Sequence, residues 1–267
     1  MAKKPSEFIV VLEKQAEKVF IIFGMVNYKL AVVYSQKIKL QGLYSLSFFL
    51  FFFFKAPKPE DIVADIIFLL DSSSSISSIN FQIAKKFVKA LARSLNVASN
   101  KSKGSVIVYG SAQDVAISLE EFTDLADFKL AVDIANYMGG LRRMDLALQA
   151  AARIMRSARR NIPKIAILIT AGKQSPPNTS VLLKNAVRPL RGLGAQTFVV
   201  AIGSDPEKRE IDTVVEDPRN VFTVSSFVDL LPKAAEIARP VANRSSKIFA
   251  FAFLTCYLSY IVRDGLV

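Results

Sequence analysis

Ala64–Ser75 reads ADIIFLLDSSSS. Residues 62–70 (IVADIIFLL) are nearly all apolar and stop at Asp71. A run of that length without alternation suits a strand buried on both faces, as in a parallel sheet. Serine is an ordinary turn and helix-capping residue. Behind the serines, Ile79–Leu95 places Phe81, Ala84, Phe87, Val88, Leu91 and Leu95 at helical spacing. Lys85, Lys86, Lys89 and Arg93 are expected on the outer, solvated face of that helix.

Working outward, the same alternation recurs. Strands are predicted over Ser105–Tyr109, Asp114–Leu119, Lys164–Thr170, Gln196–Ile202 and Asn220–Val224. The four residues Gly110–Gln113 allow a hairpin, so one strand of that pair is expected to be an antiparallel edge. Helices are predicted over Asp124–Asn136, Arg143–Ala158, Thr179–Leu190, Pro206–Val215 and Phe227–Ala238, with Gly139-Gly140 as a break. Pro232 fits only the first turn of the last helix or a kink. Six strands with intervening helices make an α/β fold. Its sheet is doubly wound and mostly parallel, with helices on both faces. Ligands bind such folds at the carboxyl ends of the strands. That edge carries Asp71, the Gly139-Gly140 loop and Thr170-Ala171-Gly172.

Composition narrows the chemistry. The 267 residues include no His and no Trp, and Cys256 is the single cysteine. Histidine bases, His or Cys zinc sites and intramolecular disulfides are therefore excluded. No GxGxxG follows the first strand and no GxxxxGK[ST] occurs, which speaks against dinucleotide and P-loop sites. The net charge of +12 lies largely in the flanks, +5 in residues 1–60 and +3 in residues 239–267. Basic, apolar flanks suggest contact with a membrane surface; nothing in the motifs suggests nucleic acid.

Asp71-Ser72-Ser73-Ser74-Ser75 fits DxSxS, a carboxylate and two hydroxyls on one loop, able to face one hard cation such as Mg²⁺. In its place after ADIIFLLD, and with SVIVYGSAQDVAISL, YMGGLRRMDLALQAA, IPKIAILITAGKQS and AQTFVVAIGSD following in order, the chain resembles the von Willebrand factor A domain family from about Ala64 to Ala242. It is most similar in character to the extracellular branch of matrilins and collagen VI-type chains. The resemblance implies that Asp71, Ser73 and Ser75 are metal ligands of an adhesion site. It also implies two losses. Arg142 stands where the family has a ligand Thr, and Ala171 where it has an Asp. The site is thus expected to be degenerate, with at most weak affinity for Mg²⁺ or another divalent cation. Arg142 is expected to pair with Asp71 in place of the cation, or else to point to solvent.

The predicted organisation is an apolar basic flank over residues 1–60, an A-type domain over 61–242 and a short apolar tail over 243–267. In the N-terminal flank, residues 43–54 hold six Phe between Phe48 and Phe54. Its readings are a targeting segment, a membrane anchor, or an artefact of a pyrimidine-rich splice boundary. Asn100, Asn178 and Asn243 begin glycosylation sequons. Arg142, Arg143, Arg153, Arg156, Arg159 and Arg160 lie on or beside one helix. They form either a solvated face or, through Arg153, Arg156 and Arg160, a patch for anionic glycans. With no catalytic constellation in view, the expectation is a non-enzymatic interaction module. It would serve in an extracellular-matrix or cell-surface protein, secreted or at the cell surface. The alternative is a cytoplasmic scaffold domain in a larger complex.

Overall fold

The computed structural model describes residues 7–14, 17–26, 29–33, 63–97, 102–121, 124–175, 179–204 and 206–243. These residues fall in two compact units, one holding residues 7–33 and the other residues 63–243. The readings of residues 34–60 and 244–267 as targeting segment, anchor or tail lie outside the described residues, as do the sequon asparagines Asn100 and Asn178.

The first unit holds an antiparallel sheet of β1 (Glu7–Lys14), β2 (Glu17–Val26) and β3 (Lys29–Val33), in the order β1-β2-β3. Sequence patterning assigned no structure here, because Glu13, Lys14, Glu17, Lys18 and Lys29 interrupt the apolar run. In the structure those charges mark the strand ends. The register sets Lys14 opposite Glu17 and Glu13 opposite Lys18.

The second unit is built on β4 (Asp65–Asp71), β5 (Lys103–Tyr109), β6 (Gln113–Ile117), β7 (Lys164–Thr170), β8 (Gln196–Ile202) and β9 (Val221–Val224). Their order is β6-β5-β4-β7-β8-β9, with only β6 antiparallel to its neighbour. The helices are α1 (Ser78–Ser94), α2 (Leu125–Ile134), α3 (Met144–Met155), α4 (Thr179–Gly192), α5 (Lys208–Val214) and α6 over residues 230–243. Every residue of β4 is buried. Ile66, Phe68 and Leu70 join a core with Phe81 and Phe87 of α1, Phe128 of α2 and Ile237 of α6. Ile67 and Leu69 join the opposite core with Leu148 and Met155 of α3 and Leu190 of α4. The unbroken apolar run is thus apolar because both faces of the strand are covered.

The end of α4 and the placing of Lys85 depart from the sequence pattern, while Pro232 stands in the first turn, where the pattern allowed it. Helix α4 runs past Pro189 to Gly192, and the chain turns at Gly194 (φ +69°), where Ala195 N–H donates to the Leu190 carbonyl at 3.0 Å. The last helix opens with a 3₁₀ turn over Phe227–Asp229, which leaves Pro232 in the first α-helical turn. Lys85 is buried rather than solvated. Its Nζ donates to the carbonyls of Asp133 (2.7 Å) and Ala135 (3.2 Å) at the end of α2. An ammonium there satisfies carbonyls that the helix end leaves free.

Candidate functional site

Strand β4 delivers Asp71 to the carboxyl edge of the sheet, where it is 1% exposed. The four serines behind it alternate in role. Ser72 Oγ donates to the Tyr109 carbonyl (3.0 Å) and Ser74 Oγ accepts from Gly140 N–H (2.6 Å), while Ser74 N–H donates to the Gly140 carbonyl (2.9 Å). These two stitch the loop to β5 and to the glycine turn. Gly139 (φ +70°) and Gly140 (φ +75°) can hold that turn because they lack a Cβ. Ser73 and Ser75 stay with Asp71. Ser73 N–H donates to Asp71 Oδ1 at 2.9 Å, and the Ser73 and Ser75 hydroxyls are 3.0 Å apart. Helix α1 then starts on Ser77, whose Oγ accepts from Asn80 N–H at 3.2 Å.

Arg142 reaches into the same place. It is 8% exposed. Its Nε donates to Asp71 Oδ2 at 2.6 Å, its Nη1 to the Lys173 carbonyl at 3.1 Å, and its Nη2 to Ser75 Oγ. One guanidinium therefore ties together the loops after β4 and β7 and the segment before α3. The space it fills is shaped by Gly172, where an added Cβ would collide with Arg142 Nη1 and Cζ. Ala171 adds no charge and packs half-buried against the core. Thr170 Oγ1 lies 3.4 Å from Asp71 Oδ2. Beneath them Tyr109 is fully buried, its hydroxyl donating to the Ile169 carbonyl at 3.2 Å. Burial first, and the Asp71 carboxylate second, push its phenol well above the usual range.

A second polar group backs the first. Asp145, in the first turn of α3, is buried and receives Arg143 Nε (2.8 Å) and Nη2 (2.7 Å). Gln174 Nε2 donates to the same carboxylate at 2.5 Å, Gln174 Oε1 accepts from Asp145 N–H at 3.2 Å, and Gln174 N–H donates to Glu210 Oε2 at 2.9 Å. Burial alone would raise the Asp145 carboxyl; the Arg143 and Gln174 hydrogen bonds outweigh it and hold the group below its ordinary value. The Lys173 carbonyl and Gln174 escaped the sequence reading, which stopped at Gly172. Only the Thr170-Ala171-Gly172 strand end offered a signal there.

The predicted arginine run divides. Arg142, Arg143 and Arg159 are consumed by Asp71, Asp145 and Asp65. Arg153, Arg156 and Arg160 are exposed, and no carboxylate among the described residues pairs with them. They sit at and beyond the end of α3, away from Asp71. Asn243 closes α6 half-buried, and its Oδ1 has no hydrogen-bond partner among the described residues.

Comparison with known proteins follows the same elements. Residues 65–236 match the model of the von Willebrand factor type A domain. The chain belongs to that family. The A domain is 29% identical to matrilin-1 of Gallus gallus over 153 residues, covering 55% of this chain and 30% of that protein. It is 28% identical to cuticlin-6 of Caenorhabditis elegans (62% and 28%) and 28% identical to the collagen alpha-1(VI) chain of Gallus gallus (63% and 18%). The chain thus spans less than a third of the length of these relatives. Among solved structures it is similar to proximal thread matrix protein 1 of the mussel byssus. The TM-score is 0.62 and the identity 25%, over 67% of this chain and 47% of that one.

Proposed function

We propose that this A domain is a non-enzymatic adhesion module of the extracellular matrix or cell surface that works without a divalent cation. The observation that carries the reading is Arg142 against Asp71. The residues present do not fit a divalent ion. Asp71 is the lone carboxylate at the loop, Ala171 contributes none, and a guanidinium with a permanent charge already bonds both Asp71 and Ser75. The charge that a cation would bring is built into the chain. Matrix placement is supported by the likeness to matrilin-1, collagen chains and a byssal thread matrix protein. The rim suits a partner surface, with Tyr137, Met138 and Leu141 exposed beside the serine loop and Lys173 65% exposed. The test is adhesion of the chain to a cell-derived matrix layer. Retention should be equal in Mg²⁺ and in chelator, and should fall with Leu141→Ser and Lys173→Glu, both at exposed positions. Loss of retention in chelator, no retention, or indifference to both rim changes would refute the reading.

Anionic glycans are a second class of partner. Exposed Arg153, Arg156 and Arg160, which no carboxylate among the described residues pairs, favour it. Heparin retention should fall steeply with salt, since exposed contacts are screened over about 8–10 Å. It should also drop in the Arg153→Ser, Arg156→Ser, Arg160→Ser variant. Unchanged retention in that variant would leave these arginines as a solvated face.

A further inference from the structure

On the flank of the A domain, α1, α2 and α6 line a shallow, open groove of about 540 Å³. It shares no residue with the Asp71 site. Its charge is unusual in origin. Lys85, Lys89 and Arg93 follow one another at four-residue spacing, so they share one face of α1. Like charges in that arrangement destabilise a helix. Lys85 is neutralised in part by the two α2 carbonyls that it caps. Its ammonium is lowered by burial, with Asp133 opposing and Lys89 adding to the effect. Lys89 is paired with Asp133 at 2.5 Å. That contact uses up the groove's one carboxylate. Among the described residues no carboxylate pairs with Lys129, four residues before Asp133 on α2, or with exposed Arg93. The opposite wall is apolar, with Ala234 buried, and Ala235 and Leu231 exposed, Leu231 at 48%. These two cations thus face a strip of small aliphatic surface.

We infer that this groove docks an acidic peptide segment of a partner protein, with carboxylates on Arg93 and Lys129 and an aliphatic side chain along Ala235 and Leu231. Charge complementarity selects the anion. The apolar wall selects a peptide over a sulfated glycan, which has no aliphatic side chain to lay there. The docked carboxylates would also relieve the repulsion along α1.

The test uses the full chain and a fluorescent peptide alternating Glu and Leu, read by anisotropy at physiological salt. The peptide should bind saturably. Arg93→Glu combined with Lys129→Glu should weaken it about tenfold or more, since two attractions become repulsions. Ala235→Glu, which leaves both cations in place, should weaken it as well. Lys173→Glu at the Asp71 rim should leave binding unchanged, so failure of this proposal is distinguishable from failure of the adhesion reading. Peptides with Gln for Glu, or Ser for Leu, should bind more weakly. Absence of saturable binding, indifference to the double reversal, or equal binding of the Ser-containing peptide or of a heparin fragment would overturn the proposal.

Discussion

Strand β4 begins and ends on a buried aspartate, and each faces an arginine. At the first end Asp65 is 0% exposed, and Arg159 surrounds it. The Arg159 N–H donates to Oδ2 at 2.8 Å, and Nε and Nη2 donate to Oδ1 at 2.8 and 2.5 Å. At the other end Asp71 takes one guanidinium contact, from Arg142 Nε, and Arg142 spends its remaining contacts on Ser75 and the Lys173 carbonyl. The Arg159 side chain is 29% exposed and that of Arg142 is 9%. One aspartate is saturated by a single partner at the protein surface. The other shares its partner with two loops inside the site. The same residue pair therefore acts as a clasp in one place and as a bridge in the other.

The largest way to break this comparison is to remove each arginine. Arg142→Met leaves Asp71 buried and unpaired, which should cost about 3–5 kcal/mol. Each aspartate keeps one backbone donor, Ser73 N–H for Asp71 and Arg159 N–H for Asp65, but the Arg159 side chain is 29% exposed against 9% for Arg142, so Arg159→Met opens a route for water and should cost less, about 1–3 kcal/mol. Urea unfolding of the full chain measures both. Asp71→Leu added to Arg142→Met should recover most of the loss, because the uncompensated charge is gone. Equal costs at the two ends would erase the distinction.

A smaller effect sharpens it. Arg142→Thr with Ala171→Asp replaces the fixed cation by a second carboxylate and a hydroxyl. That variant should be stabilised by Mg²⁺, by about 2.7 kcal/mol at a hundredfold excess over Kd. The unaltered chain should melt at the same temperature in Mg²⁺ and in chelator. A Mg²⁺-dependent rise in the unaltered chain, abolished by Asp71→Ala, would show that Arg142 does not stand in for the ion.

The smallest effect concerns Asp145, which holds the loop that Arg142 bridges. Its carboxyl is lowered from 3.8 on folding. Its contribution is therefore complete above the unfolded value and is lost as pH falls through the lower folded value. Asp145→Asn should flatten the acid limb of the stability curve below about pH 4 and leave its slope near neutrality unchanged. An unaltered acid limb would mean that the Arg143 and Gln174 contacts do not discriminate the charged form.

Periodicity alone carried the sheet. Asp65–Asp71, Lys164–Thr170 and Gln196–Ile202 are unbroken apolar runs because each is covered by helices on both faces, and burial of that kind is written residue by residue. The β5–β6 hairpin was legible from its short connection. Lys85 was misread for a related reason. Helical spacing places it beside Phe81 and Val88, but nothing local says that the end of α2 arrives over it with two free carbonyls. The site divides in the same way. The DxSxS loop is contiguous, and its chemistry could be read from five neighbouring residues. Arg142 lies 71 positions from Asp71, and Lys173 and Gln174 lie further still. The sequence by itself determined the strands and helices of the A domain. Only the tertiary structure decided which of six arginines meets which aspartate, because an ion pair depends on where three distant loops converge and not on the spacing within any one of them.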